Sequence, residues 1–313
     1  MPNFVKPAET VLSKTALFIC GPTAVGKTDV AIKLALWLNT EIISFDSRQF
    51  FKELQIGAAP PSQAELSVVK HHLVGHLSVE EDYNAGDFER DALKVLDEIF
   101  ETKEVAILVG GSGMYMKAIT EGFDEMPDIP TEIRESLKQR LKKEGLQSLI
   151  EQLKSTDPDY HGQVDLKNPQ RVIRALEIIE VTGQPYSQFR KGEKAKRDFN
   201  ILKIGITLPR EVLYERINKR VDLMVQAGLE EEVLSLLHYR EKNSMQTVGY
   251  KEFVRYFDGE WNRETAISEI KKNSRRYAKR QMTWFNRDEE IKWFEPQDVE
   301  GIKKHILENT KDE

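Results

Sequence analysis

Short runs of consecutive apolar residues alternate along this chain with longer stretches whose apolar positions recur at helical spacing. "TALFIC" (15–20), "EIISFD" (41–46) and "EVAILV" (104–109) have the length and β-branched content of buried strands. Between them, residues 28–38 and 86–100 repeat at the helical period. Strands buried on both faces and joined by helices imply a parallel α/β sheet. After "GGSGMY" the pattern changes, and residues 131 to about 183 hold helical segments without a strand. There Asn168 before Pro169 gives an N-cap and first-turn pair, and Gly183 a stop, which predicts a helix over "PQRVIRALEIIEVT". A basic, turn-rich stretch, "GQPYSQFRKGEKAKR", closes this region. Strand character resumes at 201–208, followed by expected helices at 210–227, 229–240 and 262–282 and a short strand at 291–295. The predicted organisation is a core of residues 1–120 and 201–313, interrupted by a helical insertion at 121–200.

Composition agrees with a soluble globular chain: 313 residues, 40% hydrophobic and 31% charged. The single cysteine, Cys20, lies in the first apolar run, which excludes a disulfide framework and a cysteine metal site. "MPNFVKPAET" lacks a basic start followed by an apolar region, and no stretch reaches the roughly 18 apolar residues of a membrane span. The expectation is a cytoplasmic monomer. Net charge is −6, which by itself argues against a nucleic-acid partner. Residues 271–287, however, carry seven positive side chains and no acid, so the rest of the chain sums to −13.

The chemistry begins at "GPTAVGKT", where Gly21, Gly26, Lys27 and Thr28 satisfy G-x-x-x-x-G-K-[ST] between a strand and a helix. In the loop Gly21-Pro22-Thr23-Ala24-Val25-Gly26, the backbone N–H groups of every residue but Pro22, with the helix N-terminus, suit an anion. Lys27 adds a point charge, and the Thr28 hydroxyl is a candidate ligand for Mg²⁺. A P-loop NTPase-like parallel sheet is therefore expected. NTP hydrolysis also needs a carboxylate at a second strand end, yet "AILV" runs into Gly110 and Gly111. The acid available is Asp46, at the end of the other strand. Ligands of open parallel sheets bind outside the carboxyl ends of the strands, so Asp46 and the loop after Val109 should face the phosphate site. Asp46 could hold metal-bound water or act as a base.

"GPTAVGKT", "DSRQ", "ILVGGSGMY", "PQRVIRALE", "VGYKE" and "AKRQMTWF", in this order across nearly the whole chain, resemble the tRNA dimethylallyltransferases, the MiaA-type isopentenyltransferases. The resemblance implies a doubly wound core with a helical insertion. It also implies transfer of a dimethylallyl group from dimethylallyl diphosphate to N6 of the adenine 3′-adjacent to the anticodon (tRNA position 37), with release of diphosphate. The loop would cradle that diphosphate, and Asp46 would take the N6 proton. Arg216 and Arg220 share a helix face four residues apart; by resemblance Arg220 joins the diphosphate, with Arg216 the alternative. The family pattern further implies contacts with the tRNA anticodon stem-loop from Asp46, Ser47, Arg48, Gln49, Ser112, Arg134, Gln170, Arg171 and Arg174. The loop residues Gln246, Thr247, Gly249 and Lys251 are implicated in the same way. Ala58 and Pro60 stand where the family commonly has threonine and lysine, and Ser112 where it has threonine.

Arg275, Arg276 and Arg280, in the 271–287 helix with Lys272 and Lys279, suit a surface that follows phosphates. Trp284 and Phe285 read as core. His71, His72 and His76 have no zinc-binding spacing and read as core or active-site wall. Three other functions compete: a small-molecule kinase with the same loop, an isopentenyltransferase acting on free adenine nucleotides, and a non-catalytic RNA-binding module. The basic insertion and helix argue against the first two, and Asp46 beside an intact phosphate loop argues against the third.

Overall fold

The computed structural model describes residues 13–124, 126–192 and 194–310; the expectation about "MPNFVKPAET" lies outside them. Among the described residues six strands, β1 (Thr15–Cys20), β2 (Ile42–Ser44), β3 (His71–His72), β4 (Val105–Val109), β5 (Asn200–Ile206) and β6 (Lys292–Phe294), form one sheet in the order β3-β2-β4-β1-β5-β6. Every pairing is parallel. β1 and β4 are buried along their whole lengths, which is why they read as unbroken apolar runs and not as alternating ones. Helices α1 (Lys27–Leu38), α2 (Gln63–Val68), α3 (Ala85–Phe100) and α4 (Gly113–Thr120) belong to the first half of the sheet.

The chain divides into two compact units, residues 1–120 with 196–313 and residues 121–195. The second ends at Ala195 and not at residue 200, because Arg197 is bound into the first: it donates to the Ile119 and Ala118 carbonyls at 2.8 and 2.9 Å and to Glu89 at 2.6 Å. This second unit holds α5 (Thr131–Glu144), α6 (Leu146–Thr156), α7 (Pro158–His161) and α8 (Pro169–Thr182) around a core of Leu137, Leu149, Leu153, Tyr160, Val172, Ala175 and Leu176. The Asn168 side chain caps α8 at the Arg171 N–H, and Gly183 closes it in the left-handed conformation.

The first unit resumes with α9 (Arg210–Gln226), α10 (Leu229–Ser235), α11 (Tyr250–Phe257), α12 (Arg263–Phe285) and α13 (Val299–Asn309). The helix expected over 229–240 stops at Ser235 and passes into a single 3₁₀ turn, Leu237–Tyr239. One apolar layer, including Leu17, Ile19, Val30, Leu34, Ile107 and Ile204, lies on one face of the sheet, and another, including Phe18, Phe45, Phe50, Phe88, Leu108 and Tyr250, on the other. Cys20 ends β1 fully buried, and that burial pushes its thiol up to about 12 against the opposing pull of Lys27. Among the described residues no helix is long and apolar enough to cross a membrane.

Candidate active site

β1 ends in the phosphate-loop sequence, and its backbone explains the residue types. Gly21 has φ +140°, and a Cβ there would collide with the Ile206 carbonyl oxygen of the neighbouring strand, so only glycine turns the chain this way. Ala24 (φ 64°) and Gly26 (φ 105°) bend the loop back, and α1 starts at Lys27. The loop is fixed from outside by Gln281 of α12, whose side-chain oxygen accepts the Thr23 N–H at 2.9 Å while its nitrogen donates to the Gly111 carbonyl at 2.8 Å. The two loops at the carboxyl ends of β1 and β4 are thus tied by one side chain.

A pocket of about 480 Å³ opens above these strand ends, lined by Thr23, Ala24, Gly26, Lys27, Thr28, Asp46, Gln49, Gly110, Arg216, Lys219 and Arg220. The loop, Asp46 and Arg220 therefore meet in one place, with Arg216 on the same wall. Lys27 donates to the Pro22 carbonyl at 2.8 Å. Desolvation pulls its ammonium down to about 8, with Asp46 opposing the shift and Arg220 reinforcing it. Burial likewise lowers Arg220 to about 10, and the neighbouring Arg48 adds to that. Cations gathered around one carboxylate with so little hydration form a site that an anion would stabilise. Arg220 lines this pocket and a second, narrower cleft with Thr23, Ala24, Arg48, Ile217, Val221, Met224, Val248, Gly249, Ile270 and Tyr277. A polyanionic head and an apolar tail could lie side by side here.

The "DSRQ" turn follows β2 closely. Ser44 donates to Gln49 at 2.9 Å, Gln49 donates to the Ala59 carbonyl at 3.1 Å, and the Arg48 N–H donates to Asp46 Oδ1 at 3.2 Å. The Ser47 N–H reaches Ser112 Oγ at 3.4 Å. Burial, with Asp46 nearby, raises the Tyr277 phenol. Tyr277 and Gln281 were not singled out in the sequence; lying four apart on α12, they face the strand ends while Lys279 and Arg280 between them attract attention as charge. Ala58 is buried in the core and Ala59 lines the pocket with φ 46°, so the alanine at 58 is a packing residue in this chain.

The remaining sites divide. In the loop before α11, Gln246 donates to the Arg240 carbonyl and Thr247 to the Ser244 carbonyl, at 2.6 and 3.0 Å. Gly249 lines the narrow cleft, its N–H held by Glu252 at 2.7 Å, and Lys251 is partly buried on α11. On α12, Arg276 and Arg280 are exposed, whereas Arg275 donates to Asn218 at 2.6 Å, Lys271 pairs with Asp222 and Lys272 with Glu269. Trp284, expected in the core, is 43% exposed and lies over Gly113, while Phe285 is buried. The cause is that the helix runs on through Phe285, so these neighbours point to different faces. In the second unit Arg134 and Arg174 both pair at 3.2 Å with the buried Glu177, and Gln170 and Arg171 are exposed at the start of α8. His72 pairs with Glu41 at 2.6 Å, His76 packs on Phe50 and Tyr83, and His71 accompanies them at the sheet edge. No three acidic, histidine or cysteine side chains among the described residues are grouped to hold a metal.

A P-loop sequence facing a strand-end aspartate and a buried arginine across one pocket defines a P-loop α/β protein. The profile of the IPP transferase family matches residues 49–288, and the chain belongs to that family. A tRNA dimethylallyltransferase of Christiangramia forsetii is 52% identical over 284 residues, 91% of this chain and 94% of that protein. Among solved structures, the full-length tRNA isopentenylpyrophosphate transferase of Bacillus halodurans is 37% identical with a TM-score of 0.69, covering 95% of this chain and 97% of that one. A eukaryotic dimethylallyltransferase captured acting on tRNA is 26% identical with a TM-score of 0.77, covering 95% and 80%.

Proposed function

We propose that this chain transfers the dimethylallyl group of dimethylallyl diphosphate to N6 of the adenine 3′-adjacent to the tRNA anticodon. The observation that carries this reading is the single pocket joining the phosphate loop, Arg220 and Asp46. An exocyclic adenine amine is a weak nucleophile. As its nitrogen bonds to C1 of the donor, the C1–O bond breaks, diphosphate leaves with the electron pair, and the N6 proton passes to Asp46. The loop N–H groups, Lys27 and Arg220 stabilise the charge that grows on the departing oxygen. The apolar side of the narrow cleft, Ile217, Val221, Met224 and Ile270, suits a five-carbon chain and keeps water from the allylic carbon. Thr28 lines the pocket with Asp29 and Asp46, oxygen donors that suit Mg²⁺, a cation that keeps waters and shares substrate phosphates; bound through the Thr28 hydroxyl, it would neutralise diphosphate charge.

RNA contacts are assigned to Ser47, Gln49 and Ser112 at the mouth, to Gln246, Thr247, Gly249 and Lys251, to Arg276 and Arg280, and to Arg134, Gln170, Arg171 and Arg174 of the second unit. The protein acts in this reading as a cytoplasmic monomer. The test incubates it with Mg²⁺, labelled dimethylallyl diphosphate and either tRNA or AMP. Label is expected in tRNA; label in AMP and never in tRNA would overturn the proposal.

A further inference from the structure

Arg48 sits in the "DSRQ" turn, where the family pattern implies an RNA contact, yet its surroundings are those of an interior group. Its side chain is 13% exposed. One guanidinium nitrogen, Nη1, donates to the Gly57 and Val248 carbonyls, both at 3.4 Å, and the group lies 5.8 Å from the centre of the Tyr277 ring. Another nitrogen, Nε, is buried without a hydrogen-bond partner and stands 3.9 Å from Asp46 Oδ1. That same oxygen already accepts the Arg48 backbone N–H at 3.2 Å. An unpartnered buried donor is costly, and a small rotation of the Asp46 carboxyl satisfies it.

The carbonyls that grip Arg48 are themselves anchored. Glu232 of α10 accepts three successive N–H groups, those of Gln55 (2.8 Å), Ile56 (2.7 Å) and Gly57 (3.0 Å), together with the Tyr250 hydroxyl at 2.7 Å. Gly57 is packed so closely that a Cβ would come within 2.6 Å of the Tyr250 ring. Glu232 therefore sets Gly57, Gly57 sets Arg48, and Arg48 faces Asp46.

We infer that Arg48 is a positioning residue for Asp46, holding Oδ1 so that the second carboxylate oxygen is presented to the adenine amine, and that it does not contact RNA. This role rests on the proposed prenyl transfer. Lys27, Arg220, Tyr115 and Tyr277 also feel the charge of Asp46, whereas Arg48 bonds it through its own main chain while directing a side-chain donor at the same oxygen.

The full-length protein with Arg48→Met or Arg48→Lys is compared with wild type in three measurements: tRNA affinity against salt, dimethylallyl diphosphate affinity without tRNA, and single-turnover transfer on the preformed complex. Arg48→Met is expected to slow transfer by about ten- to a hundredfold, as misplacement of a reacting group does, with both affinities and the salt slope unchanged. Arg48→Lys is expected to recover part of the rate, and it carries the test if the methionine variant does not fold. Weaker tRNA binding with a salt slope lower by about one would make Arg48 a phosphate contact, and weaker donor binding would make it a diphosphate ligand; either overturns the inference, as does an unchanged rate. A wild-type protein that moves no prenyl group would overturn the functional reading and this role with it.

Discussion

Gln281 accepts the Thr23 N–H at 2.9 Å across 258 positions of sequence, and the phosphate loop takes its shape from α12 as much as from its own glycines. Gln281 is 6% exposed and donates to Gly111 as well. Gln281→Leu would leave an N–H and a carbonyl unpaired, so a loss of about 1–3 kcal/mol in stability is expected, with weaker donor binding because the loop is no longer held. Urea unfolding and a dimethylallyl diphosphate titration measure the two effects, and an unshifted unfolding midpoint would refute the first.

Lys27 gives donor binding a pH dependence. In the unliganded protein its pKa is pulled from 10.5 to about 8, and a bound diphosphate draws it back up by favouring the ammonium. Affinity for dimethylallyl diphosphate should therefore fall by up to about tenfold per pH unit above pH 8. Between pH 8 and 10.5 the unfolded chain binds more proton at this site than the folded one, so the same group makes folding stability rise with pH there. Lys27→Ala should bind the donor weakly at every pH and lack the slope. Titrations without tRNA decide the matter; a parallel slope in the variant would assign it elsewhere.

Asp46→Asn preserves shape and hydrogen-bonding reach but cannot take a proton. Both substrates should still bind, while single-turnover transfer falls by about 10² to 10⁴. Transfer at the wild-type rate on the preformed complex would leave Asp46 with a recognition role only.

The basic helix separates into two groups. Arg276 and Arg280 are exposed, whereas Arg275 is held by Asn218. Changing Arg276 and Arg280 to Gln should weaken tRNA binding and lower its salt slope by about one per lost phosphate contact. Arg275→Gln should leave the slope nearly unchanged. An equal effect from all three would show that Arg275 leaves Asn218 to reach RNA.

What could be read in advance follows a physical rule. The phosphate loop, Asp46 at a strand end, and the capped α8 were legible because each is a local pattern: glycines at forced turns, an acid after an apolar run, a cap and a stop. β3 was not, since two residues have no period, and α11 was obscured by its four aromatic residues in eight positions, a composition that suits strands equally well. The pairing of Lys271 and Arg275 with α9, the Gln281 bridge and the Glu232 clamp join segments far apart in the chain. Nothing in the local sequence at either end announces them.

Cys20 is the chain's single cysteine, fully buried at the end of β1 and held as a protonated thiol by its surroundings. Thiolate is the form that alkylates, so maleimide reagents should pass over it at neutral pH. One cysteine introduced at an exposed position such as Gln170 would then be the sole labelled atom. Fluorophores or spin labels there can therefore test whether tRNA reaches the second unit, with Cys20 left in place.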